Sequence, residues 1–383
     1  QAAGRQVHRQ RRRARGPPHA RLRPARPGAL TTRPLPTRNR IMQFGVSWVP
    51  DDLGGYADLV RGTEAIGVDR IGVPDSQASR YRECYTTLSE LFHHTTRVTA
   101  GPLVTNPLTR HPAVTAAAIA SADELSGGRA FICLATGDTG VFNLGMRPAK
   151  LAQLEEYVLV LRDLFHHGRA TFRGDEMRLE WVGRHVPILI AAGGPRALRL
   201  AGRIADGVVV GMGFTPDAVS LVNQYVAEGA AEGGRSLDDL EVWYMARAAV
   251  ADRREDAVRL VRPSLAAAGA HAFRFSLDGK AVPDEFVEAV VELERRYDLT
   301  AHNMPGEGNP NGRLVEELGL TDYLADRMGV VGTERQCIDK LTALRDRGIH
   351  NVIVRPLVLD RHDFLRRWGR VIAAVRADAA TGP

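Results

Sequence analysis

From Met42 onward, short runs of β-branched and apolar residues alternate with longer stretches of helical period, and this alternation constrains the fold more than any other feature of the chain. The runs span residues 44–48, 70–73, 98–105, 130–135, 187–191, 207–211, 241–250 and 351–356. Strands alternating with helices build a parallel sheet, and eight of them predict closure into an α/β barrel of (β/α)8 type, with insertions, rather than an open sheet. Helical faces are explicit at both ends. Tyr56, Leu59, Val60, Thr63 and Ile66 share one face after the first run, and Phe364, Leu365, Trp368, Val371, Ile372 and Val375 form a stripe after the last. Before the fourth run, Gly127-Gly128 follows a helical stretch where a glycine supplies a left-handed C-terminal cap. Residues 252–350 exceed what one crossover needs and include the Gly/Pro/Asn-rich stretch 302–312, so a lid-like insertion is expected there, with helices over 283–297 and 333–347.

Charge separates the chain into two parts. Residues 1–40 carry twelve Arg and no Asp, Glu or Lys, together with six prolines. The remainder holds 39 basic against 45 acidic residues, a net charge of −6. Such a segment cannot bury a core, and residues 1–41 are expected to be a disordered tail, either upstream sequence or an electrostatic arm, with the barrel occupying 42–383. The basic pI belongs to the tail, so it does not argue for a nucleic-acid partner. No apolar run reaches the roughly 18 residues of a membrane span, and none of signal-peptide length follows Arg11-Arg12-Arg13. Three cysteines, Cys84, Cys133 and Cys337, in no ligand-like spacing, suit a reducing, cytoplasmic setting without disulfides or structural zinc. The expected partners are a small-molecule substrate and further copies of the chain in a homodimer or homotetramer, with no nucleic acid and no membrane.

Barrel enzymes place their chemistry at the C-terminal ends of the strands. The residues there are Ser47 and Trp48, Asp75 and Ser76, Thr105 to His111, Gly137 and Asp138, Gly193 to Arg196, and Gly211 to Gly213. A rim of glycines and polar groups suits a ligand with a polar ring system and a phosphate. Gly193-Gly194-Pro195 precedes a helix whose free N–H groups can bind an anion, although the same sequence also makes a plain tight turn. Gly211 and Gly213 on the neighbouring loop allow close backbone approach to the same anion. Neither GxxxxGK[ST] nor GxGxxG occurs, which disfavours nucleotide hydrolysis and a Rossmann site. His111 reads either as a catalytic imidazole or as a turn-stabilising hydrogen bonder. Asp75 and Asp138 can orient a ring or move a proton, or cap the next helix.

The stretches Tyr85-Thr86-Thr87-Leu88, Gly101-Pro102-Leu103-Val104-Thr105-Asn106-Pro107, Arg110-His111-Pro112-Ala113 and Asp123-Glu124-Leu125-Ser126-Gly127-Gly128-Arg129 resemble the luciferase-like superfamily. They are most similar to its methylenetetrahydromethanopterin reductase branch, which uses the deazaflavin coenzyme F-420. The resemblance implies a luciferase-type barrel with a non-prolyl cis peptide at Leu103-Val104. It implies ring contacts from Asp75, Leu103, Val104, Thr105 and Asn106, and Gly137 and Asp138 near the cofactor's tail. A phosphate grip from Gly193, Gly194, Pro195, Gly211 and Met212 follows in the same way. Ser47 stands where the methanopterin reductases have a strand 1 acid, and Ser76 where sugar-phosphate dehydrogenases of the family carry a catalytic His. The implied activity is hydride transfer between F-420 and an organic substrate, with Ser47, Trp48, Asp75 and His111 on the substrate side. Monooxygenation with reduced FMN and oxygen is the alternative, and a non-catalytic flavin-binding barrel is the second.

Overall fold

A computed structural model describes residues 41–76, 81–302 and 304–381, and the Arg/Pro-rich tail read from the sequence lies, but for Ile41, outside the described residues. The strands are β1 (Gln43–Ser47), β2 (Arg70–Val73), β3 (Thr99–Thr105), β4 (Ile132–Leu134), β5 (Arg169–Phe172), β6 (Asp175–Arg178), β7 (Ile188–Ala192), β8 (Gly207–Val210), β9 (Glu241–Val250), β10 (Gly329–Gly332) and β11 (Asn351–Arg355). Parallel pairing runs β9-β11-β1-β2-β3-β4-β7-β8, and β8 returns to β9, closing an eight-stranded barrel. The eight expected strands are the eight of the ring.

Period-two alternation sorts each strand's side chains between two cores. Outward-facing Phe44, Val46, Ile71, Val73, Ile132 and Val352 join the helices in one large cluster. Helix Tyr56–Ala65 buries Tyr56, Leu59, Val60 and Thr63, and Trp368 of helix Arg361–Thr381 meets Phe44 edge-on at 6.4 Å, so both expected helical stripes pack on the barrel. Inward-facing Leu103, Phe131, Cys133, Leu189, Val209, Trp243 and Ile353 fill the interior. At its N-terminal end Arg70 lies between the rings of Phe131 and Trp243 and pairs with Glu241 at 2.9 Å, closing the floor with a satisfied charge. Gly127 caps its helix with φ +71°, as expected.

The structure departs from the sequence reading between β9 and β11. β9 is shared along its length: Glu241–Tyr244 pair with β8, Tyr244–Arg247 with β11, and Arg247–Val250 with β10. The helix Glu334–Asp346, assigned above to the insertion, is therefore the crossover that leads from β10 into β11. The excursion from the barrel ends near Met328. It contains helices Arg254–Phe273, Asp284–Arg296, Pro310–Glu317 and Thr321–Met328, of which only the second was expected, and these pack around their own apolar cluster. The hairpin β5–β6 was also passed over. Runs of four residues between helices carry too little periodicity to stand out. Among the described residues, no helix is long and apolar enough to cross a membrane.

Strand packing inside the barrel leaves no tolerance at Gly101, where an added Cβ would come 1.9 Å from the Phe131 carbonyl oxygen on β4. Gly101→Ala is expected to lower unfolding stability by about 2–3 kcal/mol through forced strand separation. A urea midpoint equal to wild type would contradict this contact.

Candidate active site

The inward row at the top of the barrel is set by strand register. Ser47 ends β1 facing inward; its side chain is fully buried and its Oγ has no hydrogen-bond partner among the described residues. Trp48, one residue on, faces the other way. Its indole Nε1 donates to Thr63 Oγ1 at 2.9 Å and its ring meets Phe364 edge-on at 5.9 Å. This corrects the expected substrate-side position of Trp48, whose ring belongs to the helix layer because strand side chains alternate.

Asp75 follows β2 and is buried under the rim. Its carboxylate accepts from Thr105 Oγ1 at 2.6 Å and from the Arg110 guanidinium, which also reaches Glu83 at 2.8 Å and lies over the Tyr85 ring. Burial works against that guanidinium's charge, but Asp75 outweighs it and holds Arg110 above its ordinary value. The Leu103–Val104 peptide is cis, as the resemblance implied, and the β3–β4 register shifts at the same place. Asn106 Oδ1 accepts from the amides of Leu108 and Thr109 at 2.9 and 3.1 Å, fixing the loop after β3. His111 is exposed at the N-cap of helix Pro112–Ser126, where Nδ1 accepts from the Ala113 amide at 3.3 Å and the ring packs edge-on against Phe172. Of its two readings the structure displays the capping one.

Gly137, with φ +108°, delivers Asp138 to the rim after β4. Asp138 makes no capping bond. Its carboxylate instead takes the His271 ring and Arg274 Nη1, the latter at 2.5 Å, both from the end of helix Arg254–Phe273 and the residue after it. Burial alone would raise the Asp138 carboxyl, but His271 and Arg274 outweigh it and hold it well below the usual carboxylate range. This pair of contacts ties the inserted helices to the barrel. The following segment then lies against the start of helix Pro195–Ile204, since a Cβ on Gly279 would come 2.7 Å from the Pro195 ring. Nearby, Lys280 is buried; its ammonium donates to the Arg274 carbonyl at 3.0 Å, and burial pushes it down to about 8.

The glycines after β7 and β8 form an open cradle: a Cβ built on Gly193, Gly194 or Gly211 meets nothing within 4 Å. Gly194 caps the helix opened by Pro195, so the first helical N–H groups face this space. The Met212 side chain is packed in the outer core and its carbonyl accepts from Arg327 Nε at 3.0 Å, so a contact with the cradle would come from its backbone N–H.

Four mouth residues were not read from the sequence. Arg247 continues the inward face of β9 after Trp243 and Met245, and Arg355 continues that of β11 after Ile353. Arg355 donates to the Tyr81 hydroxyl at 2.8 Å. Tyr297 and His302 of the insertion share a hydrogen bond of 2.7 Å, and burial, then Arg355 and Arg247, push the imidazole down to about 3, so it is neutral. The available signal was a polar residue at an interior position of an otherwise apolar strand.

The family model described as luciferase-like monooxygenase matches residues 32–351. A 5,10-methylenetetrahydromethanopterin reductase of Methanolobus tindarius is 28% identical, covering 86% of this chain and 99% of the relative. An F-420-dependent glucose-6-phosphate dehydrogenase of Nakamurella multipartita is 27% identical, covering 89% and 96%. Among solved structures, the F-420-dependent tetrahydromethanopterin reductase of Methanopyrus kandleri superposes with a TM-score of 0.67 at 23% identity, over 86% of this chain and 97% of that one.

The Asp138 contacts carry a pH signature. An aspartate held below its ordinary value of 3.8 contributes stability in full at neutral pH and loses it as pH falls through its folded value. Asp138→Asn is therefore expected to melt a few degrees below wild type at neutral pH, the two melting curves converging as pH falls below about 3. A gap that stays constant with pH would contradict the assignment.

Proposed function

The chain belongs to the luciferase-like monooxygenase family and is an oxidoreductase, and from that premise we propose that it transfers a hydride between coenzyme F-420 and a small organic substrate held above the barrel. The observation that carries this reading is the cradle of Gly193, Gly194 and Gly211, empty of side chains and facing a helix N-terminus. That arrangement fits a phosphate, because backbone N–H groups and the positive helix end act together where no Cβ obstructs approach. The F-420 dependence in the name of the Nakamurella dehydrogenase supports the choice of deazaflavin over FMN.

Leu103 to Asn106 would form the wall behind the ring. Their position is fixed by the Thr105–Asp75 hydrogen bond and the Asn106 turn, so the wall is set before any ligand arrives. Asp75, already bonded to Arg110, would present fixed polar atoms at the ring edge. The coenzyme supplies or accepts the hydride when bound. His302, neutral and joined to Tyr297, would orient a substrate by hydrogen bonding rather than act as a base at neutral pH. The inserted helices, tied down through Asp138, would exclude water from the space above.

Titrating the purified protein separately with F-420 and FMN tests this reading. F-420 is expected to bind at least about tenfold more tightly; tight FMN binding without affinity for the deazaflavin would overturn it. Gly194 lies in extended backbone with open space around it, so Gly194→Val should fold normally and fill the cradle. Its F-420 affinity is expected to fall by about tenfold or more at an unchanged melting temperature. An unchanged affinity would remove the cradle from the site.

A further inference from the structure

Three inward groups stand side by side at the top of the barrel, on three adjacent strands. Arg247 of β9 and Arg355 of β11 are register partners. Val46 of β1 pairs with Val354, which puts Ser47 level with Arg355. The row Ser47–Arg355–Arg247 therefore crosses one side of the mouth at a single height. Directly below it the same faces carry Gly45, Ile353, Met245 and Trp243.

Each member of the row is short of partners. Ser47 Oγ is buried and unbonded. Arg247 is half-buried and makes no hydrogen bond or ion pair among the described residues, while the bond made by Arg355 goes to the Tyr81 hydroxyl. The carboxylates at the rim are committed elsewhere, Asp75 to Arg110 and Asp138 to Arg274 and His271. Burial, reinforced by the neighbouring Arg355, pushes Arg247 below its ordinary value to about 9, which still leaves it protonated at neutral pH. Two adjacent cations with a free hydroxyl beside them and no acid to balance them are a costly arrangement unless something negative completes it. Guanidinium pairs match the two or three oxygens of a carboxylate or phosphate, and a serine hydroxyl adds one donor.

We propose that Ser47, Arg355 and Arg247 form a recognition site for an oxyanion of the substrate, so that the molecule undergoing hydride transfer carries a carboxylate or a phosphate group. This rests on the reading of the barrel mouth as a hydride-transfer site. The oxyanion is anchored on the β9–β11–β1 side. The cofactor cradle lies after β7 and β8, and the ring wall after β3, leaving the reacting carbon between anchor and ring.

The test uses protein saturated with F-420, so that the glycine cradle is filled, and titrates it with inorganic phosphate and separately with acetate at constant ionic strength. Saturable binding of at least one is expected, and the preferred anion names the substrate's group. Arg247→Gln and Arg355→Gln should each weaken that anion by about tenfold or more, as loss of a charge-assisted contact does, while F-420 affinity stays within about twofold. Arg355→Lys, which keeps the charge, should recover part of the loss. No saturable binding, or equal affinity in the variants, overturns the proposal; so does a matching fall in F-420 affinity, which would assign the pair to the cofactor. Melting temperatures separate binding from scaffolding. Removing a cation that has no acidic partner should leave the anion-free protein as stable or more so, and a clear loss of stability overturns the assignment. If F-420 fails to bind, the hydride-transfer reading falls, whereas titrating the cofactor-free protein and its variants still decides the anion site, because phosphate held in the glycine cradle would not respond to Arg247→Gln.

Discussion

Every inward side chain has to fit a cylinder whose width is fixed by eight strands, and the chain meets this limit by placing glycines against large neighbours. A Cβ at Gly45 would strike the Ile353 side chain, one at Gly72 the Leu103 side chain, and one at Gly101 the Phe131 backbone. These pairings let β1, β2 and β3 approach their partners while Leu103, Phe131, Trp243 and Ile353 fill the middle. With the floor closed by Arg70 and Glu241, the interior is satisfied from the bottom up. Only the top row remains open to polar groups, and the rest of the site follows from which residues the register brings there.

The cover above that row is held by apolar packing on the outer ends of β9 and β10, where Ala249 and Val331 join its cluster, and by charge. Asp138 holds His271 and Arg274, and Arg274 also lies over the Phe142 ring. On the other side Arg327 donates to the Met212 carbonyl and to the Ala281 carbonyl, joining the loop after β8 to the returning chain. Between these two anchors the backbone passes through positive φ at Phe275 and Ala281, both non-glycine residues. The inserted helices share an apolar cluster with Ala249 and Val331, so they hold together as a unit on the extended ends of β9 and β10, while their side-chain bonds to the loops after β4 and β8 are polar. Such contacts open at lower free-energy cost than a packed core, which suits a cover that has to admit substrate.

The ring strands and outer helices were legible in the sequence because each combines a period with a sufficient length. Trp368 and its neighbours, or Tyr56 and Leu59, could face only one way on a helix. Single positions at strand ends were not. Ser47 and Trp48 are adjacent, and which of them faces inward depends on a register that pairing with β2 and β11 decides. Trp48 is expected at the mouth because it follows the first strand, and alternation turns its ring to the helix layer. Both arginines lie inside their strands and not after them, Arg247 because β9 continues past the barrel to hold β10 and Arg355 as the last residue of β11.

Charge balance gives these arginines their weight. The chain beyond residue 40 has an excess of six acidic residues, yet the mouth retains two guanidinium groups without acidic partners. Other buried arginines have their donors met, Arg70 by Glu241 and Arg327 by the carbonyls of Met212, Lys280 and Ala281. Arg247, by contrast, makes no hydrogen bond or ion pair among the described residues. Two adjacent guanidinium groups among low-dielectric walls concentrate field lines, so an anion gains its attraction at the mouth. The same low polarizability that makes two buried cations costly when alone strengthens their hold on an oxyanion once water is displaced. Register, which brings Arg247 and Arg355 to one height, thereby turns a stability cost into binding specificity at the end of the barrel where the chemistry takes place.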